Sequence, residues 1–188
     1  MHVMIDLETL GVTPMAPVLS IGAVAFNPHA DSEEFVRTAK EFYLNLNWKD
    51  QVKAGAAVEA DTLEWWMGQK PEVRAEALNG SSAGLQYQAK SITYFLLDHL
   101  GQDYLWANSP SFDLVLLRAL FKRAGQVFPF RYSKELDVRT LKASWRMLWP
   151  SAPLPEFQGD AHHPLTDCWN QARLVREFYE KVRNGTTT

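Results

Sequence analysis

The N-terminal run His2-Val3-Met4-Ile5-Asp6-Leu7-Glu8-Thr9 reads as a strand that ends in carboxylates. Residues two apart in a strand share a face, so Asp6 and Glu8 stand side by side. Pairs at this spacing are not rare. Asp31/Glu33, Glu59/Asp61 and Glu135/Asp137 also occur, and 22 acids in 188 positions give roughly two or three such pairs by chance. What sets the first pair apart is its place at the end of an apolar strand, just before Thr9 and Gly11. Strand ends are where a sheet gathers its ligands.

Two further acids repeat one pattern. Asp113, Leu117, Leu120 and Ala124 follow 4-3-4 spacing, and Asp167, Gln171, Leu174 and Phe178 follow it again. Each aspartate therefore occupies the first turn of a core-facing helical stripe. A single first-turn acid is explained by the helix dipole alone. Two of them, with Asp6 and Glu8 waiting on a strand, point instead to one shared site. Carboxylates that share a buried site repel one another, and divalent cations, which want hard oxygen ligands, resolve that conflict. His162 precedes Asp167 by five residues, with Pro164 opening the helix between them. An imidazole in that loop can swing over the first turn and take a proton from water. His163 is an adjacent competitor for the same role.

Composition bounds the rest. A chain of 188 residues, 46% hydrophobic and 22% charged, suits one globular domain with a substantial core. We read residues 1–183 as that domain and 184–188 as a frayed tail. No apolar run approaches the ~20 residues of a membrane span, and no basic-then-apolar leader opens the chain. The single cysteine, Cys168, excludes an internal disulfide framework and fits a reducing, cytoplasmic setting. A net charge of −3 excludes a basic nucleic-acid coat, so any polyanion has to be held by cations or a local patch.

The spacing predicts strands over the N-terminal run, Val18–Phe26, Glu41–Asn47 and Asp103–Ala107, with Val127–Tyr132 as a last, edge strand because Pro129 cannot donate to a central ladder. Helices are expected from an Asp61 N-cap, from Pro71 to Asn79-Gly80, over 84–100 up to Gly101, from a Ser111 cap to Gly125, near 134–147, and from Pro164 to Asn184-Gly185. Three strands followed by alternating helix and strand suggest an α/β fold, a mixed sheet flanked by helices.

Asp6-Leu-Glu-Thr-Leu-Gly11 resembles the first signature of the DEDDh 3′–5′ exonucleases, Asp-x-Glu-Thr-x-Gly. Asn108-Ser-Pro-Ser-Phe-Asp113 looks like the second, Asn-x3-Phe-Asp, and His162-x4-Asp167 is similar to the third. The set lies in the family's order and spans most of the chain, which makes it far more specific than any one motif. Leu63-Glu-Trp-Trp-Met67 and Asp137-Val-Arg-Thr-Leu141 resemble a compact bacterial and phage subgroup that includes exoribonucleases. Pro164 departs from the pattern, which has a small residue at that point of the third motif.

The resemblance implies a ribonuclease H-like, five-stranded mixed sheet whose second strand runs antiparallel to the rest. It also implies two Mg²⁺ or Mn²⁺ ions about 3.5–4 Å apart. On that reading Asp6 bridges both ions, Glu8 and Asp167 complete one, Asp113 serves the other, and His162 is the general base. The expected activity is release of 5′-mononucleotides from the 3′ end of single-stranded nucleic acid, with RNA favoured over DNA. Leu7, Thr9 and Leu10, through backbone near the terminal hydroxyl, and Leu10, Trp65, Trp66 and Phe112, through stacking on bases, are the candidate substrate contacts, with Asn108 of the second motif beside them. Base stacking contributes ~1–3 kcal/mol and tolerates any sequence. Arg139, Lys142 and Arg146 share one helical side, which phosphates or plain solvent would explain equally well. Relatives of this kind commonly form homodimers. The rival readings are a DNA-directed exonuclease, a ribonuclease H-like endonuclease, and a catalytically silent nucleic-acid-binding module of the same fold.

Overall fold

In a computed structural model that describes residues 1–100, 104–159 and 162–185, β1 (His2–Thr9) is the middle strand of the sheet. It pairs antiparallel with β2 (Val18–Phe26), which pairs antiparallel with β3 (Lys40–Asn45). On its other side it pairs parallel with β4 (Leu105–Ala107), which pairs parallel with β5 (Glu135–Asp137). The order is β3-β2-β1-β4-β5, and β2 alone is reversed, as the ribonuclease H-like reading expects. All nine residues of β2 are buried, the signature of a central strand covered on both faces.

Between and after these strands come α1 (Ser32–Thr38), α2 (Trp48–Lys53), α3 (Ala60–Met67), α4 (Pro71–Asn79), α5 (Leu85–Leu100), α6 (Asp113–Arg123), α7 (Val138–Leu148) and α8 (Pro164–Gly185), the last two following β5. Alternation along β1 sends Val3, Ile5 and Leu7 to one layer, where they pack with Ile92 and Leu96 of α5 and Leu117 and Leu120 of α6. Met4 points the other way, into a layer formed by Val138, Leu141 and Trp145 of α7 and Cys168, Ala172 and Val175 of α8. Asp6 and Glu8 share the face of Met4, and so face α8. Gly22, opposite Asp6 in the register, lets α8 begin against the sheet: a Cβ there would lie 2.4 Å from the carbonyl carbon of Pro164. No described helix is long and apolar enough to cross a membrane.

Several expectations need correction. The edge strand is Glu135–Asp137, not Val127–Tyr132. Phe128 packs edge-to-face on Phe121 of α6 while Val127 stays exposed, so that apolar stretch patches a helix and does not extend the sheet. The following helix accordingly starts at Val138, with the Asp137 carboxylate accepting from the N–H groups of Arg139 and Thr140. Asp61 does not cap α3; Glu59 holds that position, and its carboxylate is engaged elsewhere. Ser111 does not cap α6, because its hydroxyl pairs with that of Ser109. Helices α1 and α2 fall where no helix is expected; each is seven residues or fewer, too short to show a period, and each is opened by an Asx cap, Asp31 or Asn47. Asn184 and Gly185 remain helical at the end of α8. Gly101, Asp103 and the terminal threonines lie outside the described residues.

Candidate active site

Strand β1 carries Asp6 and Glu8 to its C-terminal end, and a register shift between Glu8 and Thr9 breaks the ladder just beyond them. Such an irregularity bends the strand and re-aims its side chains. The loop that follows is braced from distant positions. The Glu59 carboxylate accepts from the N–H groups of Val12 (3.1 Å) and Thr13 (3.0 Å) and from the Thr13 hydroxyl (2.6 Å). Those donors hold its pKa below the ordinary carboxylate value. Arg123 of α6 donates to the carbonyl of Pro14 at 3.0 Å. The Trp66 indole N–H donates to the Thr9 carbonyl at 2.8 Å.

Helix α8, seated on Gly22, presents Asp167 in its first turn. Carboxylate oxygens of Asp6, Glu8 and Asp167 lie within 4.8 Å of one another. Asp113 enters from the start of α6, buried, with its Oδ2 lacking any hydrogen-bond partner. Gln171, one helical turn after Asp167, donates from Nε2 to Oδ1 of Asp6 at 2.9 Å. The sequence placed Gln171 on the core-facing stripe, but only the structure shows it holding an acid of β1.

The electrostatics follow from this crowding. Burial raises the Asp6 carboxyl well above its ordinary range, and the charges of Asp113 and Asp167 add to the effect. Burial, then Asp167 and Asp113, push Glu8 up to about 8. Asp113 rises to about 7 through burial, against the pull of the backbone N–H groups of Leu7, Asp113 and Asn108 and the charge of Arg139. Asp167 is raised by burial and held back first by the His162 N–H, which donates to its Oδ2 at 3.2 Å. Mutually repelling oxygens and an unpartnered buried Oδ2 are the donor set that a hard divalent cation satisfies, so the residues present fit such an ion.

The adjacent histidines are separated by the fold. His162 has φ 66° and is exposed, its ring meeting Trp65 edge-to-face with centroids 4.9 Å apart. His163 stacks on Tyr43 at 4.9 Å, with Nε2 3.3 Å from Glu76. Pro164, the departure from the third motif, opens α8 and is buried there.

The expected substrate contacts divide. Trp66 is 1% exposed and Leu10 is also buried, both in a small core with Leu19 and Ala77, so neither side chain offers a stacking surface. Trp66 anchors the end of β1 instead. Leu7 is buried in the sheet core, and the Thr9 hydroxyl donates to the Gly11 carbonyl. Trp65 is 41% exposed beside His162. Phe112 is half-buried against the α6 layer, and Asn108 lines a cavity of about 310 Å³ with Asp167 and Lys142. A second cavity, about 320 Å³, opens beside Glu8, His162 and His163.

Comparison with known proteins places the fold and the family. Exodeoxyribonuclease from Enterobacteria phage T4 is 23% identical over 199 residues, covering 92% of this chain and 86% of that protein. Among solved structures, the nuclease domain of 3′hExo, a DEDDh family member bound to rAMP, superposes with a TM-score of 0.61 at 14% identity, over 96% of this chain and 92% of that domain. E. coli exonuclease I in complex with a dT13 oligonucleotide superposes with a TM-score of 0.67 at 15% identity, over 98% of this chain, which spans 42% of the exonuclease I chain. These structural likenesses establish the fold. A family model described as the 3′-5′ exoribonuclease Rv2179c-like domain matches residues 1–179. With that match over nearly its whole length, the chain belongs to the Rv2179c-like family of 3′–5′ exoribonuclease domains and is a nuclease.

Proposed function

We propose that this protein is a metal-dependent 3′–5′ exonuclease that releases 5′-mononucleotides from single-stranded nucleic acid, RNA before DNA. The observation that carries the reading is the meeting of Asp6, Glu8 and Asp167 within 4.8 Å, beside a buried, under-partnered Asp113. These four carboxylates would hold two divalent ions, Mg²⁺ or Mn²⁺. When bound, such ions make water acidic at neutral pH and offset charge on a leaving oxygen.

The chain's own residues supply the rest. His162 is exposed at the cluster, and its backbone tie to Asp167 sets where the ring can reach. It takes the proton of the attacking water. His163, engaged with Tyr43 and Glu76, is not available for that step. Gln171 holds one oxygen of Asp6 and so fixes how that carboxylate sits in the cluster. Trp65 offers its exposed ring to the terminal base. RNA is placed first because the matching family is one of exoribonuclease domains, and the T4 exodeoxyribonuclease makes DNA the second reading.

The test is hydrolysis of matched single-stranded RNA and DNA oligonucleotides with Mg²⁺ or Mn²⁺ by wild-type, Asp6→Ala and His162→Ala proteins. Stepwise release of 5′-mononucleotides is expected from the wild type. His162→Ala should lose roughly 10²–10⁴-fold in rate, the contribution of a positioned base. Near-normal rates in both variants would overturn the assignment.

A further inference from the structure

The carboxylate cluster has flanks of opposite sign. Toward α4, the cavity beside Glu8 is also lined by Glu72 and Glu76. Toward α7, the cavity beside Asp167 is lined by Lys142. Helix α7 is anchored to the core through Val138, Leu141 and Trp145, which leaves the adjoining stripe of Arg139, Lys142 and Arg146 outward. Arg139 and Arg146 are exposed and Lys142 is half-buried. Among the described residues none of these cations forms an ion pair with a carboxylate. The Lys142 ammonium nevertheless lies within electrostatic reach of Asp167 and Asp6 as well as Arg139 and Arg146, so the ridge runs up to the cluster itself.

A chain of net charge −3 has to hold a polyanion locally. We propose that this ridge is the track for the strand lying 5′ of the scissile bond, with Lys142 taking the phosphate next to the cluster and Arg139 and Arg146 taking its neighbours. The inference rests on the exonuclease reading and adds a direction to it. The phosphate-bearing strand leaves over α7, and the 3′-terminal nucleoside, which has no phosphate beyond it, faces the acidic flank of α4. Contacts of this kind position a strand without reading its bases, so they serve RNA and DNA alike.

The test measures binding, so that it does not depend on turnover. On an Asp6→Asn background, the affinity for a labelled single-stranded oligonucleotide is followed by fluorescence anisotropy across a salt series. Arg139→Gln, Lys142→Gln and Arg146→Gln are made singly and together, with Lys90→Gln, an exposed cation of α5 across the sheet, as the control. Each ridge substitution should weaken binding and flatten the plot of log affinity against log salt by roughly 0.7, and the triple variant by roughly 2. Lys90→Gln should change neither. A triple variant that melts like its parent and keeps the parent's affinity and salt slope overturns the track. Failure of the wild-type protein to release mononucleotides overturns the exonuclease reading instead, and the two results are read in separate assays.

Discussion

The two faces of β1 are built from the same backbone and do opposite things. Val3, Ile5 and Leu7 enter the layer of α5 and α6, where they join an apolar cluster and burial stabilises. Met4, Asp6 and Glu8 enter the layer of α7 and α8, and along that face the strand turns from apolar to acidic. There burial works against the fold, because it raises carboxyls that also repel one another. Stability and chemistry are thus separated by a two-residue alternation, one side of the strand offsetting what the other costs.

The sharpest way to break that comparison is to substitute neighbouring positions on opposite faces. Ile5 is fully buried, so Ile5→Ala should lose about 2–5 kcal/mol, which in a chain of this size is roughly 2–4 °C of Tm for each kcal/mol. Asp6→Asn should do the reverse in metal-free protein at pH above the ordinary carboxylate range, raising Tm by removing a carboxyl whose burial and repulsion oppose folding, while hydrolysis is lost. Thermal melts in chelator, paired with rate measurements, check both. Parallel losses of Tm would show that the acidic face is not under electrostatic load.

A smaller effect is expected in the pH dependence. The folded pKa values of Glu8, about 8, and Asp113, about 7, lie above their ordinary values of 4.5 and 3.8. Between those limits the folded chain keeps protons that the unfolded chain releases, so these groups make metal-free stability fall as pH rises from about 4 to about 8. A divalent cation favours the ionised carboxylates and should flatten or reverse the slope. Melting temperatures across that window, with chelator and then with Mn²⁺, measure it. Ile5→Ala should displace the whole curve without changing its slope, whereas Glu8→Gln should shallow it.

The smallest effect sharpens the contrast at the strand's end, where adjacent tryptophans divide the same labour. Trp66→Phe removes a buried donor to the Thr9 carbonyl, so it should cost about 1–3 kcal/mol. Trp65→Ala should leave Tm nearly unchanged and raise KM, because its ring is exposed beside His162. Equal destabilisation by both changes would remove Trp65 from the substrate surface.

How far the sequence reaches depends on the range of the contact. The alternation of β1 was legible because period-2 patterning is local, and so were the helical stripes that bear Asp113 and Asp167. Strand β5 was not, since three residues are too few to show a period, and the longer Val127–Tyr132 run competed for the assignment. The tryptophan pair was ambiguous for a related reason: adjacent residues on a helix point 100° apart, and nothing nearby says which side the sheet will cover. Glu59 reads in the sequence only as half of a chance acidic pair with Asp61, yet it braces a loop 46 residues away.

Within each element, then, residue order by itself determined which acids exist, which face of a strand or helix each one takes, and where the exposed histidine loop sits relative to Asp167. Only the packed chain decided which of these meet. Asp6 and Gln171 are separated by 165 positions, and what joins them is the bare backbone of Gly22, which lets α8 settle against the sheet. Spacing governs direction inside one element through its helical or pleated repeat. Approach between elements is governed by the volume and shape of everything packed between them, which no local repeat encodes.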